Sequence, residues 1–344
     1  MKCPALLALL LLGCAAEADP RGLGPEPGQP REQVGFAVCT DAPPPAATKV
    51  SSFRHTSSTL ISFASAWHTA DDVVTTDEAD ATVRAKLAYG SLSKDLEDEW
   101  VEVFLDDCET LVRLGRARTD DDGRIALTLP WDRLPGAGQF ALHLRVEGDG
   151  TLARASLWVL PVGTRLAVFD IDGTLTTSDW ELFEDLLDDL FRPILAGTTP
   201  DARAGAAPTT RARAAQGYIP VYLTGRPYWL TGKSRAWLEA QGMAAGPVIT
   251  ARRTAQILPT QSGVGAFKAD TLAELEWMGL LPELAYGNAT TDIAAYAEAG
   301  IELASTFILG RHGGEGGTVA LGDDYEAHLE HVDLPAIAQP FARP

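Results

Sequence analysis

The sequence is short of positive charge. Its 344 residues carry 28 lysines and arginines against 47 aspartates and glutamates, which gives a formal net charge of −19. Such an acidic protein repels nucleic acids and anionic bilayers unless a local site or an anchor overrides the repulsion. Nucleic acid is therefore excluded as a partner.

Cysteine and histidine are also scarce. The six histidines are scattered and no Gly-x-Ser-x-Gly stretch occurs, which excludes a serine-hydrolase triad. Of the four cysteines, Cys3 and Cys14 fall in the N-terminal segment, so Cys39 and Cys108 are left for the folded body. An oxidising compartment would permit these two to pair, but two free, partly buried thiols fit the sequence equally well.

The N-terminus carries an apolar run that is too short to span a bilayer permanently. Residues 1–18, which begin "MKCPALLALLLLGC", predict an export signal. Within this signal "LLGC" resembles a bacterial lipobox, which predicts a lipid anchor on Cys14. Cleavage after Ala16-Glu17-Ala18, releasing a soluble protein, is the alternative. The lipobox predicts an exported bacterial lipoprotein, membrane-anchored and facing the periplasm or the cell exterior.

The first half of the chain divides into a tether and a β-domain. Residues 19–50 are rich in Pro, Gly and Ala and predict a flexible tether. Residues 51–162 contain alternating apolar stretches such as "ATVRAKLAY" and "QFALHLRV", separated by turn signals such as "TDDDGR". Several short strands at this spacing predict a small antiparallel β-sandwich. Its sequence indicates no family.

After residue 163 the pattern changes to alternating strands and helices. "RLAVFD", "GYIPVYLTG", "LAYGN" and "TFILG" are typical of buried strands, and helical stretches separate them, including one predicted at residues 179–195. This alternation predicts an α/β domain over residues 163–344, with a parallel sheet covered on both faces.

Polar residues stand directly after several of these apolar runs. Ligands bind beyond the carboxyl ends of the strands in such sheets, so these residues are expected to share a site. They are Asp170 and Asp172 after "LAVF", Thr224 after "VYL", Lys268 in "GAFKADTL", and Asn288 with Asp292 in "AYGNATTDI".

This set of residue types fits phosphoryl transfer. Two close carboxylates repel unless a cation lies between them, so Asp170 and Asp172, completed by Asn288 and Asp292, predict a Mg²⁺ site. Asp170 could attack phosphorus, while Asp172 could protonate the leaving oxygen and later activate water. The predicted contacts to the phosphoryl oxygens come from the following groups: the Thr224 hydroxyl, the Lys268 ammonium, and the phosphate-binding residues Gly173, Thr174, Gly225 and Arg226. For Arg226 a salt bridge at the start of a helix is an equally good interpretation.

The order of the motifs carries a resemblance. "DIDGTLT", "YLTGRP", "FK" and "GNATTD" are similar to the four motifs of the haloacid dehalogenase superfamily, which implies a Rossmann-like domain and a phosphatase acting through an aspartyl-phosphate at Asp170. Within that superfamily, residues 165–310 most resemble the catalytic domain of lipin-type phosphatidate phosphatases. The resemblance implies a Mg²⁺-dependent hydrolase acting on phosphatidate-like lipid phosphates.

Three alternatives remain at this point. The substrate could be a soluble phosphomonoester. Related domains of phosphatidylinositol-transfer proteins have lost catalytic residues and are regarded as phosphatidate binders, so the chain could be a non-catalytic sensor. The β-sandwich could also carry the main role by binding a glycan or a protein partner.

Overall fold

The computed structural model describes residues 36–90, 93–177, 200–252 and 261–332. The predicted export signal at 1–18, the lipidation site Cys14, most of the tether and the predicted helix at 179–195 lie outside these residues. Among the helices described, none is both long enough and apolar enough to span a membrane.

The N-terminal domain is a β-sandwich. Its strands are β1 (Ala37–Cys39), β2 (Thr69–Ala70), β3 (Val73–Thr76), β4 (Ala81–Lys86), β5 (Ala88–Tyr89), β6 (Lys94–Asp95), β7 (Trp100–Asp106), β8 (Leu111–Arg118), β9 (Arg124–Leu129), β10 (Gly138–Val146) and β11 (Leu152–Leu160), with a short helix α1 (Thr56–Ile61). The larger sheet has the order β3-β11-β10-β7-β8, with β1 also paired to β10. The second sheet has three strands in the order β2-β4-β9, and β5 pairs with β6.

The alternation read from the sequence places one face of these strands in the core. Along β10, the side chains of Phe140, Leu142, Leu144 and Val146 are all buried in one apolar cluster, as expected for a period of two. The prediction of an antiparallel sandwich is wrong at two pairings, because β1 runs parallel to β10 and β3 runs parallel to β11. Both strands reach their partners through long connections, which permit parallel pairing.

The predicted tether at 19–50 does not hold for its later part. Phe36 and Cys39 are buried, and β1 lies against β10. Cys39 is disulfide-bonded to Cys108, with the two Cα atoms 4.6 Å apart. The segment therefore has a fixed place in the sandwich, because the pairing with β10 and the disulfide outweigh its Pro-rich and Gly-rich composition.

The C-terminal domain is a six-stranded parallel sheet with helices. Its elements are β12 (Arg165–Phe169), α2 (Ala206–Ala215), β13 (Ile219–Pro227), α3 (Thr231–Ala240), β14 (Val248–Ala251), α4 (Ala266–Trp277), β15 (Leu281–Gly287), α5 (Thr290–Glu298), β16 (Thr306–Leu309), β17 (Val319–Gly322) and α6 (Glu326–His331). The sheet order is β14-β13-β12-β15-β16-β17. This is a doubly wound order, and it reverses direction between β12 and β15.

Both faces of this sheet are covered, as predicted. In β12, Leu166 and Val168 pack with residues of α4 and α5, whereas Ala167 and Phe169 pack with residues of α2 and α3. Successive side chains of a strand point to opposite faces, so an unbroken apolar run is what a strand buried on both sides requires. Helix α2, the short helix α6 and the edge strand β17 had no prediction.

The two domains share part of their cores. Trp158 and Leu160 of β11 belong to the same apolar cluster as Leu166 and Val168 of β12. Polar contacts reinforce this junction through Asp72, whose side chain is 1% exposed and accepts an ion-paired hydrogen bond of 2.6 Å from Arg235. The domains are therefore packed together rather than joined by a free linker.

Candidate functional site

A cavity of about 440 Å³ lies at the carboxyl edge of the parallel sheet. Its lining includes Asp170, which follows β12, and Asn288, which follows β15. These two strands flank the point at which the strand order reverses, where the carboxyl ends diverge and leave a crevice. The cavity is therefore in the place where doubly wound sheets bind their ligands.

Lys268 joins two buried carboxylates at the base of this cavity. Its Nζ lies 2.8 Å from Oδ1 of Asp170 and 2.5 Å from Oδ1 of Asp292. Burial raises the pKa of Asp170 to about 7, against the opposing effect of Lys268. Burial alone would lower the pKa of Lys268, but the two carboxylates hold it above its ordinary value. The ammonium group is consequently charged throughout the neutral pH range.

Hydrogen bonds from the loops complete the surroundings of the two carboxylates. The Thr174 hydroxyl lies 3.0 Å from Oδ2 of Asp170 and 3.2 Å from Oδ1 of Asn288, and these two acceptors share its single proton. Oδ2 of Asp292 accepts the main-chain N–H groups of Asn288 and Ala289 at 3.0 and 3.1 Å. Asp292 thus closes the N-terminal turn of α5 while it contacts Lys268, which fixes the loop after β15 against the loop after β12.

Asp172 is held by an arginine rather than left open. Arg226 donates to both of its carboxylate oxygens, with Nη2 2.6 Å from Oδ1 and Nε 2.9 Å from Oδ2. The Thr224 hydroxyl donates to the same carboxylate at 3.2 Å, and Ser234 Oγ accepts a hydrogen bond from Arg226 at 3.0 Å. A two-point ion pair of this kind has a fixed geometry, so the carboxylate has little freedom to turn toward a ligand. Arg226 thus forms a salt bridge, but with Asp172 in the loop after β12 rather than at the start of a helix, and phosphate binding by Arg226 stays a prediction.

The predicted Mg²⁺ ligands contact groups of the protein itself. Both carboxylate oxygens of Asp172 and Asp292 and Oδ1 of Asp170 accept hydrogen bonds from protein groups. Oδ2 of Asp170 and the Asn288 amide oxygen share the proton of the Thr174 hydroxyl. No group of three or more His, Cys, Asp or Glu side chains able to hold a metal occurs in the described part of the chain. Mg²⁺ binding by these residues therefore stays a prediction.

Only part of the predicted site lines the cavity. Asp170, Asp172, Gly225, Arg226, Lys268, Asn288 and Asp292 do so. Thr174 and Thr224 do not line the cavity and are fully buried. The hydroxyl of Thr174 contacts Asp170, and the hydroxyl of Thr224 donates to Asp172. The amide of Gly173 donates to Thr176 Oγ1 at 3.0 Å. In this structure the three groups form hydrogen bonds within the protein, and phosphate binding by them stays a prediction.

Other lining residues were not predicted. Arg203 comes from the segment before α2, and Arg311 and His312 follow β16. The rule that selected the other strand ends applies equally to "TFILGRH", so Arg311 could have been found from the sequence. Arg203 has no local signal, since it reaches the cavity through the tertiary fold, donating to the Gly173 carbonyl at 2.9 Å.

The charges around the cavity nearly balance, with a small positive excess. Three carboxylates face four cationic side chains, namely Asp170, Asp172 and Asp292 against Arg203, Arg226, Lys268 and Arg311. The N-terminal turn of α5 also lines the cavity, and the positive end of a helix dipole favours an anion. An anionic group is thus acceptable here although the chain as a whole is strongly acidic.

Two protein-family models match the chain in tandem. Residues 66–159 match the β-sandwich domain of PITM 1-3, and residues 167–310 match the LNS2 domain of PITM 1-3. The predicted relationship to the catalytic domain of lipin-type phosphatases is therefore wrong, because the family model that matches residues 167–310 is the LNS2 domain of PITM 1-3. The sequence indicated no family for the β-sandwich, and this part of the chain matches the β-sandwich domain of PITM 1-3.

The matching curated relatives are animal proteins. Rat membrane-associated phosphatidylinositol transfer protein 1 is 28% identical over 272 residues, which cover 77% of this chain and 20% of that protein. Human membrane-associated phosphatidylinositol transfer protein 3 is 26% identical over 79% of this chain and 27% of its own length, and protein retinal degeneration B of Drosophila melanogaster is 27% identical over 79% and 21%. The chain thus spans about a fifth to a quarter of the length of these relatives.

Solved structures add no argument about the fold. The structure of PhoD, for example, has a TM-score of 0.29 at 12% identity, over 64% of this chain and 50% of that chain.

These relatives overturn three further predictions. The Mg²⁺-dependent phosphatase and the hydrolase class are wrong, because the relatives are named as phosphatidylinositol transfer proteins. The exported bacterial lipoprotein is wrong as well, because they are animal proteins named as membrane-associated. Of the predicted alternatives, the non-catalytic lipid binder agrees best with these names.

Proposed function

We propose that this chain is a non-catalytic phospholipid-binding module, and that the cavity at the carboxyl edge of the parallel sheet receives a phosphate-bearing head group such as that of phosphatidate. The observation that carries the proposal is the neutralisation of both motif aspartates by cations of the chain itself. Lys268 neutralises Asp170, and Arg226 neutralises Asp172. With these ion pairs in place, Asp172 is not free to act as a general acid.

The head group would be recognised by groups that remain at the mouth of the cavity. Arg311 is exposed there, and its guanidinium can form two parallel hydrogen bonds to a phosphate. The first turn of α5, including Thr290 and Thr291, would add main-chain N–H groups. The names of the relatives, which are phosphatidylinositol transfer proteins, support a phospholipid as the ligand. Transfer between membranes is named for proteins several times longer and is not proposed for this chain.

The fold and domain boundary proposed here follow from the same observations. The sheet order β14-β13-β12-β15-β16-β17 and the paired aspartates after β12 support a Rossmann-like fold of the haloacid dehalogenase type. We place the domain boundary between Leu160 and Arg165, close to the predicted division between 51–162 and 163–344. The two family models support this position, because one ends at residue 159 and the other begins at residue 167.

Vesicle co-sedimentation tests the proposal. The full chain is expected to bind phosphatidylcholine vesicles that contain phosphatidate more tightly than vesicles of phosphatidylcholine alone. Arg311→Gln should weaken this preference about tenfold, the effect of losing roughly 1.4 kcal/mol of binding free energy. Arg133→Gln is the matched control, because Arg133 is an exposed arginine of the sandwich. Equal binding to both vesicles, or phosphate release from phosphatidate that requires Asp170, would contradict the proposal.

A further inference from the structure

A second cavity lies at the junction of the two domains. Its volume is about 230 Å³, and its lining combines β2, β4 and β9 of the sandwich with Tyr228 and Arg252 of the α/β domain. Tyr228 comes two residues after Arg226, which lines the first cavity. The same short stretch after β13 therefore reaches both cavities, and neither domain alone could form the second.

Four cationic side chains line this second cavity. They are Arg84, Lys86, Arg124 and Arg252, opposed by the carboxylates of Asp71 and Asp120. In a chain with a net charge of −19, such a local excess of cations needs a physical reason. The register of the sheet accentuates it, because Lys86 lies directly opposite Arg124 in the β4–β9 ladder. Like charges in facing positions destabilise a sheet unless something lies between or beside them.

Within the ranges that the structure describes, two of the four cations form salt bridges and two do not. Lys86 is paired with Asp95 at 2.5 Å, and Arg252 is paired with Asp71 at 2.9 Å. Among the residues described, no carboxylate forms an ion pair with Arg84 or Arg124, since the salt bridges of the described chain do not include them. The cavity therefore presents two guanidinium groups without a salt bridge, although the charge of Arg84 still acts on the Asp71 carboxylate and lowers its pKa.

Tyr228 sets the orientation of one of these guanidinium groups. The Arg124 guanidinium carbon lies 4.9 Å from the centre of the Tyr228 ring. This stacking holds the planar group without using its N–H donors, which remain available to a ligand. The main chain of Arg124 is fixed as well, because its N–H donates to Asp120 Oδ1 at 2.8 Å.

The two opposing carboxylates also contact other groups of the protein. Burial raises the pKa of Asp71 above its ordinary value, although Arg252 and Arg84 oppose the shift. Asp120 Oδ1 accepts hydrogen bonds from the main-chain N–H groups of Asp122 and Arg124, so this carboxylate stabilises the turn before β9. Both acids therefore bind protein groups, and the four cations outnumber the two carboxylates that line the cavity.

We infer that this junction cavity is a second anion site, which takes a phosphate monoester between Arg84 and Arg124. Two arginines can each donate two hydrogen bonds to phosphate oxygens, a geometry that lysines do not provide. The phosphate could be free in solution or belong to a lipid head group, and the chemistry of recognition is the same. The inference does not depend on the proposed function of the first cavity.

Calorimetric titration of the full chain with inorganic phosphate tests the inference. Wild type should bind phosphate at the junction, and Arg84→Gln/Arg124→Gln should lower the affinity of that site at least about tenfold. Arg133→Gln removes an exposed arginine of the same domain and should leave phosphate binding unchanged. Tyr228→Leu keeps every charge but removes the stacking partner of Arg124, so it should weaken binding several-fold while the fold, followed by circular dichroism, is retained.

The number of bound phosphates separates this inference from the proposed function. If both cavities bind, wild type takes two phosphates, the double variant keeps one, and Arg311→Gln weakens the other. A single phosphate that the double variant loses would support the junction site alone. Phosphate binding that the double variant leaves unaltered would overturn the junction site, and so would the absence of phosphate binding in wild type.

Vesicles identify the source of the phosphate. Reduced binding of the double variant to phosphatidate-containing vesicles, with Arg133→Gln unaffected, would assign the site to a lipid head group. Unchanged vesicle binding together with lost phosphate binding would assign it to a soluble phosphate. Either result supports the site and decides only its ligand.

Discussion

Arg226 binds Asp172 through two points, with Nη2 2.6 Å from one carboxylate oxygen and Nε 2.9 Å from the other. The side chains are 12% and 14% exposed, so the pair is largely screened from water. Because this contact occupies the second aspartate of the "DIDGT" motif, it separates a site that resembles a phosphatase from one that can protonate a leaving group.

The energetic coupling of this pair is measurable. Arg226→Leu leaves a largely buried carboxylate without its cation and should lower the free energy of unfolding by about 3 kcal/mol. Adding Asp172→Asn should recover part of the loss, so that the double variant is more stable than the sum of the single effects by about 1 to 3 kcal/mol. Urea unfolding measures the free energy of unfolding of Arg226→Leu, of Asp172→Asn and of the double variant. Additive effects would show that the two side chains are not coupled.

Asp72 should hold the two domains together. Its carboxylate accepts the main-chain N–H groups of Ser156 and Val248 at 2.7 and 2.9 Å and pairs with Arg235. Asp72→Ala would leave these donors without an acceptor and should cost about 3 to 5 kcal/mol. Scanning calorimetry should then show two transitions, because the sandwich and the α/β domain unfold less cooperatively. Asp132→Ala, at an exposed aspartate, should keep a single transition.

The disulfide between Cys39 and Cys108 should stabilise the sandwich. It closes a loop with a sequence separation of 69 and fixes β1 beside the turn between β7 and β8. Cys39→Ser/Cys108→Ser should lower the free energy of unfolding by about 2 to 4 kcal/mol. A reducing agent should have the same effect on wild type and none on the double variant. If reduction leaves the unfolding midpoint of wild type unchanged, the bond does not contribute.

His68 should make stability depend on pH. Its Nδ1 accepts the N–H of Ala88 at 3.2 Å and Nε2 lies 2.8 Å from the Thr151 hydroxyl, so the fold holds the neutral ring. Burial lowers the pKa of His68 to about 4 from 6.5. The folded state therefore resists protonation more than the unfolded state, and this contribution to stability is present above pH 6.5 and lost as the pH falls toward 4.

The corresponding experiment compares unfolding of wild type and His68→Gln between pH 7 and pH 4. The variant has no proton to take up, so it should lose up to about 3 kcal/mol less than wild type across this range. Carboxylates and other histidines contribute the same background to both proteins. Parallel curves would mean that His68 does not titrate differently in the folded and unfolded states.

Much of the architecture was predictable from local pattern. The unbroken run "LAVF" placed β12, and strands of this kind brought Asp170 and Asn288 to one edge of the sheet, as the strand-end rule predicts. The rule is wrong for Lys268, which does not follow a strand and reaches the cavity from the first turn of α4. The alternating run "QFALHLRV" placed β10 in the same way. What local pattern could not predict was β1, since pairing with β10 and the bond to Cys108 depend on residues far along the chain.

The candidate site shows the same division. The sequence by itself determined that charged and polar side chains would gather at the carboxyl ends of β12, β13 and β15, because hydrophobic periodicity fixes where strands end. Only the tertiary structure decided that Arg226 would form an ion pair with Asp172 and that Arg203 and Arg311 would line the cavity. A carboxylate has the same sequence signature whether its partner is a metal ion or an arginine, because the partner is chosen by distance and direction in space.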